Sequence, residues 1–106
     1  MQITWVTDLL DYSLWADGPN KVGFCRPDLP DGAAQWDTTK VDRGLAYVCP
    51  CGCKEWRRVP VEGQRKWNWD GDELAPTLTP SILHISRSEE RCHWHGFLTA
   101  GKWITV

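Results

Sequence analysis

The chain has 106 residues, of which 42% are apolar, and a net charge of −2. That length suits one domain and leaves no room for two. The mixed charges lack the basic field that a general nucleic-acid or membrane-surface binder needs, and no apolar run approaches the roughly 18 residues that span a bilayer.

Met1 leads directly into Ile3-Thr4-Trp5-Val6 with no basic n-region or apolar h-region behind it, so a cytoplasmic protein is expected. Residues 3–6 read as a short strand. Residues 8–15 read as a short helix, with Leu10, Leu14 and Trp15 near one face and Thr7 or Asp8 as cap. Residues 17–32 carry Gly18-Pro19, Gly23, Pro27, Pro30 and Gly32 and read as a loop. From residue 44 the pattern turns to β. Leu45-Ala46-Tyr47-Val48 runs into a cysteine cluster, and Glu55-Trp56-Arg57-Arg58-Val59-Pro60-Val61 leaves it, which predicts a hairpin with the cysteines at its tip. Trp67-Asn68-Trp69 sets two indoles on one strand face, and Asp70-Gly71 supplies a turn. Pro76-Thr77-Leu78-Thr79-Pro80-Ser81 is extended, because each proline disfavours a helical residue before it. Residues 82–85 read as a strand. Residues 93–99 and 102–106 form a last hairpin around Ala100-Gly101. The expected fold is mainly β, with a small α+β variant open: hairpins stapled by zinc into one small sheet or two. It is a single domain, residues 1–106, with an irregular N-terminal segment at 1–43 and a zinc-bearing β core at 44–106.

The chemistry concentrates in Cys49-Pro50-Cys51-Gly52-Cys53 and Cys92-His93-Trp94-His95. Thiolates and imidazoles in two clusters suit tetrahedral zinc, and closely spaced cysteines in a cytosolic chain fit metal binding better than a disulfide framework. Cys49, Cys51, Cys53, Cys92 and His95 are five candidates for four places, and His93 can replace one of them. A closed site makes the Zn²⁺ structural. An open position makes it a hydrolytic centre, with Glu55, Asp70, Asp72 or Glu73 as base. Against hydrolysis, thiolates make zinc a poorer Lewis acid, and the His-Glu-x-x-His helix is missing. Cys25 stands apart and reads as a small buried hydrophobe.

The order Val48-Cys49-Pro50-Cys51-Gly52-Cys53, Trp67, Asp70-Gly71, Pro76-Thr77-Leu78-Thr79-Pro80-Ser81-Ile82, Cys92, His95-Gly96-Phe97 and Gly101-Lys102-Trp103 resembles the family called domain of unknown function 6527, over roughly residues 44–106. The resemblance implies a small zinc-binding protein of bacteriophages and prophages. It also implies relatives encoded beside bacterial ubiquitin-like conjugation enzymes, where a peptidase role is proposed for the family. It supports the five ligand candidates and marks Ser81, whose plainer role is a turn hydroxyl capping backbone groups and whose role as a nucleophile needs a nearby base that the sequence does not place.

Eight tryptophans suggest either ligand stacking, best at Trp67 and Trp69 beside Arg57-Arg58 and Arg65-Lys66, or a small core built from indoles. His84, between Leu83 and Ile85, is expected to face solvent or a hydrogen bond rather than a metal. The functional expectation is a structural-zinc, protein-binding module of phage origin with an unidentified protein partner. A zinc-dependent hydrolase or peptidase tied to ubiquitin-like conjugation is the first alternative, and a nucleic-acid-binding module the second.

Overall fold

In the computed structural model, residues 1–11, 25–39, 42–85 and 93–106 are described. Every regular element among them is a strand: β1 (Thr4–Trp5), β2 (Ala33–Asp37), β3 (Gly44–Val48), β4 (Trp56–Pro60), β5 (Asn68–Trp69), β6 (Leu78–Ile85), β7 (His93–Thr99) and β8 (Lys102–Thr105). They make two four-stranded sheets, ordered β1-β2-β3-β4 and β5-β6-β7-β8. Only the β1–β2 pair is parallel. The mainly β class read from the sequence is what the chain adopts, and of the one-sheet and two-sheet forms left open it takes the second. The helix expected at 8–15 is not formed where the chain is described: Asp11 N–H donates to Asp8 C=O at 3.2 Å, a turn. Residues 12–15 of that segment lie outside the described residues, as do residues 17–24 of the loop expected at 17–32.

β3 explains the layering. All five of its residues are buried, so it reads as a continuous apolar run rather than an alternating one. Leu45 and Tyr47 face the second sheet and pack with Ala34, Val59, Leu78, Ile82, Trp94, Leu98 and Trp103. Ala46 and Val48 face the other way, onto Leu9, Leu29, Ala33 and Trp56. The N-terminal segment therefore covers the outer face of the first sheet. Arg26 holds that cover down. Its fully buried guanidinium makes a paired contact with Asp28 at 3.0 and 2.9 Å and donates to the carbonyls of Asp8 and Leu9 at 2.8 Å. The hydrogen bond and charge of Arg26 hold the Asp28 carboxyl below its ordinary range.

The indoles are mostly absorbed by the fold. Trp94 and Trp103 meet edge to face in the inter-sheet core, with ring centroids 5.8 Å apart. Trp5, Trp36 and Trp69 form a chain of contacts at 6.3 and 4.7 Å. Their N–H groups donate to the carbonyls of Leu74, Glu73 and Asp72 respectively. Within this loop, the Asp70 and Asp72 carboxylates accept backbone amides, as turn aspartates do.

A charged lock crosses the first sheet from β4 to β2, with the Arg58 guanidinium lying over Gly44 of β3. Burial pushes the Asp37 carboxyl up, but donations from the Thr39 hydroxyl (2.6 Å) and amide (3.0 Å) and from Arg58 Nε (2.9 Å) outweigh it and leave the value lowered. A lowered folded-state pKa stabilises the fold above the unfolded value, near ~3.9, and that contribution is lost as pH falls through the folded value. Asp37→Ala is expected to cost about 3 kcal/mol at neutral pH, because it strands Arg58. The gap from the parent protein should narrow below about pH 3.9. Urea unfolding at pH 7 and in that acid range checks both statements.

Candidate active site and metal centre

β6 and β7 position the first site. Their register pairs Leu83 with His95 and His84 with Trp94, and it slips between Leu78 and Ile82. Such a bulge re-aims side chains relative to the regular pleat. South of the slip, Ile82 and His84 point into the core, while Leu83 and Ile85 are exposed. Ser81 joins the exposed side and lies diagonally across from His95 on the neighbouring strand, within side-chain reach. The result is a contact of 2.8 Å between Ser81 Oγ and His95 Nε2. The Ser81 carbonyl accepts the Trp67 indole N–H at 3.3 Å, which fixes the backbone beneath the hydroxyl. Among the described residues no carboxylate meets the His95 ring, and its side-chain partner there is Ser81.

Leu83, Ile85, Phe97 and Ile104, all exposed, surround this pair on the outer face of the second sheet. Phe97 and Ile104 are direct cross-strand partners. Exposed apolar side chains grouped with polar ones are what protein-interaction surfaces present.

The second site lies on the opposite side of the sheet. The β3–β4 hairpin turns through Cys49-Pro50-Cys51-Gly52-Cys53, and Gly52 adopts a φ of 100° that favours glycine. The sulfurs of Cys49, Cys51 and Cys53 all lie within 4.8 Å of one another, with Cys49 and Cys51 at 3.4 Å. The Cys53 amide donates to Cys51 Sγ at 3.4 Å. Four ligands at a zinc–sulfur distance of ~2.3 Å stand about 3.8 Å apart, so the three thiols are grouped near the spacing such a metal sets. Burial pushes the Cys53 thiol up, and the neighbouring Cys51 adds to that against a donation from the Glu55 amide.

His84 is the residue sequence reasoning placed elsewhere. It is 1% exposed, and its Nε2 lies 3.9 Å from Cys53 Sγ. Cys53, Glu55 and His84 form a second group with donor atoms within 4.8 Å of one another. The signal available was the alternation Ile82, His84 along one strand face, which makes His84 a core position. His95, expected among the ligands, lies on the outer face with Ser81. Cys92 lies outside the described residues, and of His93 only the backbone is described, as the start of β7. Cys25 is half-buried and bridges through its backbone to Glu55.

Residues 23–106 match the model of a family described as bacterial ubiquitination-like system serine protease (BubE). The chain belongs to the BubE family. That match corrects the resemblance to domain of unknown function 6527: the motifs that carried it, from Val48 to Trp103, all fall within the BubE match. The family's description ties it to a bacterial ubiquitination-like system, a setting of protein partners. No curated protein and no solved structure matches the chain. No helix among the described residues is long and apolar enough to cross a membrane.

Proposed function

We propose that the protein is a serine hydrolase that cleaves a peptide or ester bond in a ubiquitin-like conjugate or precursor, with Ser81 as nucleophile and His95 as general base. The observation that supports this reading is the 2.8 Å contact between Ser81 Oγ and His95 Nε2, within the reach a base needs to take the hydroxyl proton. In the tautomer protonated at Nδ1, His95 Nε2 accepts that proton as Ser81 Oγ attacks the scissile carbonyl. The imidazolium then donates it to the leaving amine or alkoxide, leaving an acyl group on Ser81. Water, deprotonated by the same nitrogen, releases the acid and restores the serine. The BubE family description, which names a serine protease, agrees with these roles. The apolar outer face around the pair suits a protein substrate better than a small one.

The thiols of Cys49, Cys51 and Cys53 would hold a structural metal, for which zinc fits the soft donor set. His84 and Cys92 are the candidates for the fourth ligand. Bound there, the ion would supply a cross-link between the β3–β4 tip and the core side of the second sheet. His84 and Ser81 share β6 but point to opposite faces, so the nucleophile and the thiols work on different sides of the sheet. This favours serine chemistry over the metal-dependent hydrolysis and the purely structural module anticipated from the sequence.

The test is incubation with a ubiquitin-like protein carrying a C-terminal extension, followed by intact mass measurement. Release of the extension by the parent protein, and none by Ser81→Ala, is the expected result. Equal release by both proteins would refute the assignment of Ser81.

A further inference from the structure

Among the described residues no strand covers the edge of β6 next to Ser81, and hydrogen bonds already present show which backbone groups it offers. Val106 N–H donates to the His95 carbonyl at 2.9 Å, on the β8 side. In an antiparallel ladder a residue's N–H and C=O point the same way. His95 and Leu83 are therefore a non-hydrogen-bonded pair, and Leu83 turns its N–H and C=O away from β7. Two contacts agree with this. The carbonyls of Ser81 and Ile85, at the same parity, are met by the Trp67 indole and by an Arg57 N–H. β5 follows this edge only at Leu78 and Thr79, so among the described residues no strand runs beside residues 81–85.

Leu83 opens instead onto a cleft of about 280 Å³, with Tyr47, Arg57, Val59, Trp67 and Ile85 among its lining residues. Arg57 Nε is buried there with no hydrogen-bond partner. A lane of this kind admits a strand, which sits ~4.8 Å from its neighbour, better than a helix of ~10 Å diameter. Backbone donors and acceptors on a sheet edge recognise another backbone.

We propose that β6 is the substrate-binding strand: an extended stretch of a protein substrate pairs with the N–H and C=O of Leu83, accepts from Arg57 Nε through one of its carbonyls, and is thereby led to Ser81. This inference rests on Ser81 and His95 being nucleophile and base.

The test compares one fluorophosphonate warhead carried on an ethyl group and on a four-alanine peptide, with Ser81 labelling rates read by intact mass. The peptide probe should label the parent protein at least roughly tenfold faster, as two added backbone hydrogen bonds imply. Leu83→Pro removes the edge N–H at a position where an edge strand tolerates proline. It should erase the peptide's advantage, bringing the peptide rate down to that of the ethyl probe on the same variant. Should Leu83→Pro lose ethyl labelling through misfolding, peptide probes N-methylated at each amide in turn decide the matter on the parent protein: one methylation should slow labelling roughly tenfold, and no effect from any of them overturns the proposal. Equal rates for the two probes, or an unchanged advantage in folded Leu83→Pro, also overturn it while leaving the Ser81 assignment standing. Failure of the ethyl probe to label the parent protein overturns both.

Discussion

Ser81→Ala should lower kcat/KM for release of the C-terminal extension by at least ~10³-fold, with the protein still folded. The hydroxyl is half-buried and its contact is with His95 on the outer face, so its loss opens no cavity in the core. His95→Ala should fall by a similar factor, since positioned proton transfer contributes ~10²–10⁴-fold and here also activates the nucleophile. The two residues act as one unit. The double variant should therefore be little worse than either single variant, because an attack that lacks its nucleophile has no further use for the base. A purely structural role for the pair predicts the opposite pattern: small losses in activity that add and that track the melting temperature. Steady-state kinetics beside thermal denaturation of the three variants separates these outcomes.

Removal of the metal proposed at Cys49, Cys51 and Cys53 should unfold the domain rather than only silence it. Structural zinc in small modules contributes an apparent ~10–16 kcal/mol, which equals or exceeds the ~5–15 kcal/mol net stability of ordinary domains. Protein purified without added metal is expected to carry about one equivalent of zinc. A strong chelator, or Cys51→Ser, should abolish the β-sheet circular dichroism signal together with any Ser81 activity. Refolding with cobalt or cadmium should restore both signal and activity to within a few-fold of the zinc protein, because the serine reacts on the other face of the sheet. A dependence of turnover on metal identity greater than ~10-fold would point to an ion that takes part in the reaction, as a Lewis acid does.

Much of the strand arrangement was legible because local pattern and turn chemistry agree. The β3–β4 hairpin follows from apolar runs on both sides of the cysteine cluster, and the β7–β8 hairpin from alternation around Ala100-Gly101. Those two residues have φ of 49° and 74°, the positive angles that a tight hairpin turn demands. β2 was not legible. Ala33-Ala34-Gln35-Trp36-Asp37 has no β-branched residue and follows a loop rich in proline and glycine, so its strand character comes from pairing with β3 rather than from propensity. The helix expected at residues 8–15 rested on the spacing of Leu10, Leu14 and Trp15. Where the chain is described, Leu9 is fully buried and seated by a turn.

The cysteine cluster was legible as a group, since three thiols in five residues must meet. The histidines were not, because their roles depend on register. His84 and His95 belong to different strands, and each strand's face is decided by how β6 and β7 pair across the connection between them. The slip between Leu78 and Ile82 then sets which side Ser81 joins. Pro80 marks an irregularity in that stretch but not which side Ser81 joins, so a serine whose nucleophile role lacked a base turns out to face a histidine assigned to zinc.

The central claim is that Ser81 is a nucleophile activated by His95, and covalent labelling tests it most directly. The protein would be treated with an alkyl fluorophosphonate, digested, and the adduct located by mass spectrometry. A single adduct on Ser81, lost in His95→Ala while that variant remains folded, is the predicted result. No adduct, an adduct on another serine, or undiminished labelling of Ser81 in His95→Ala would contradict the account.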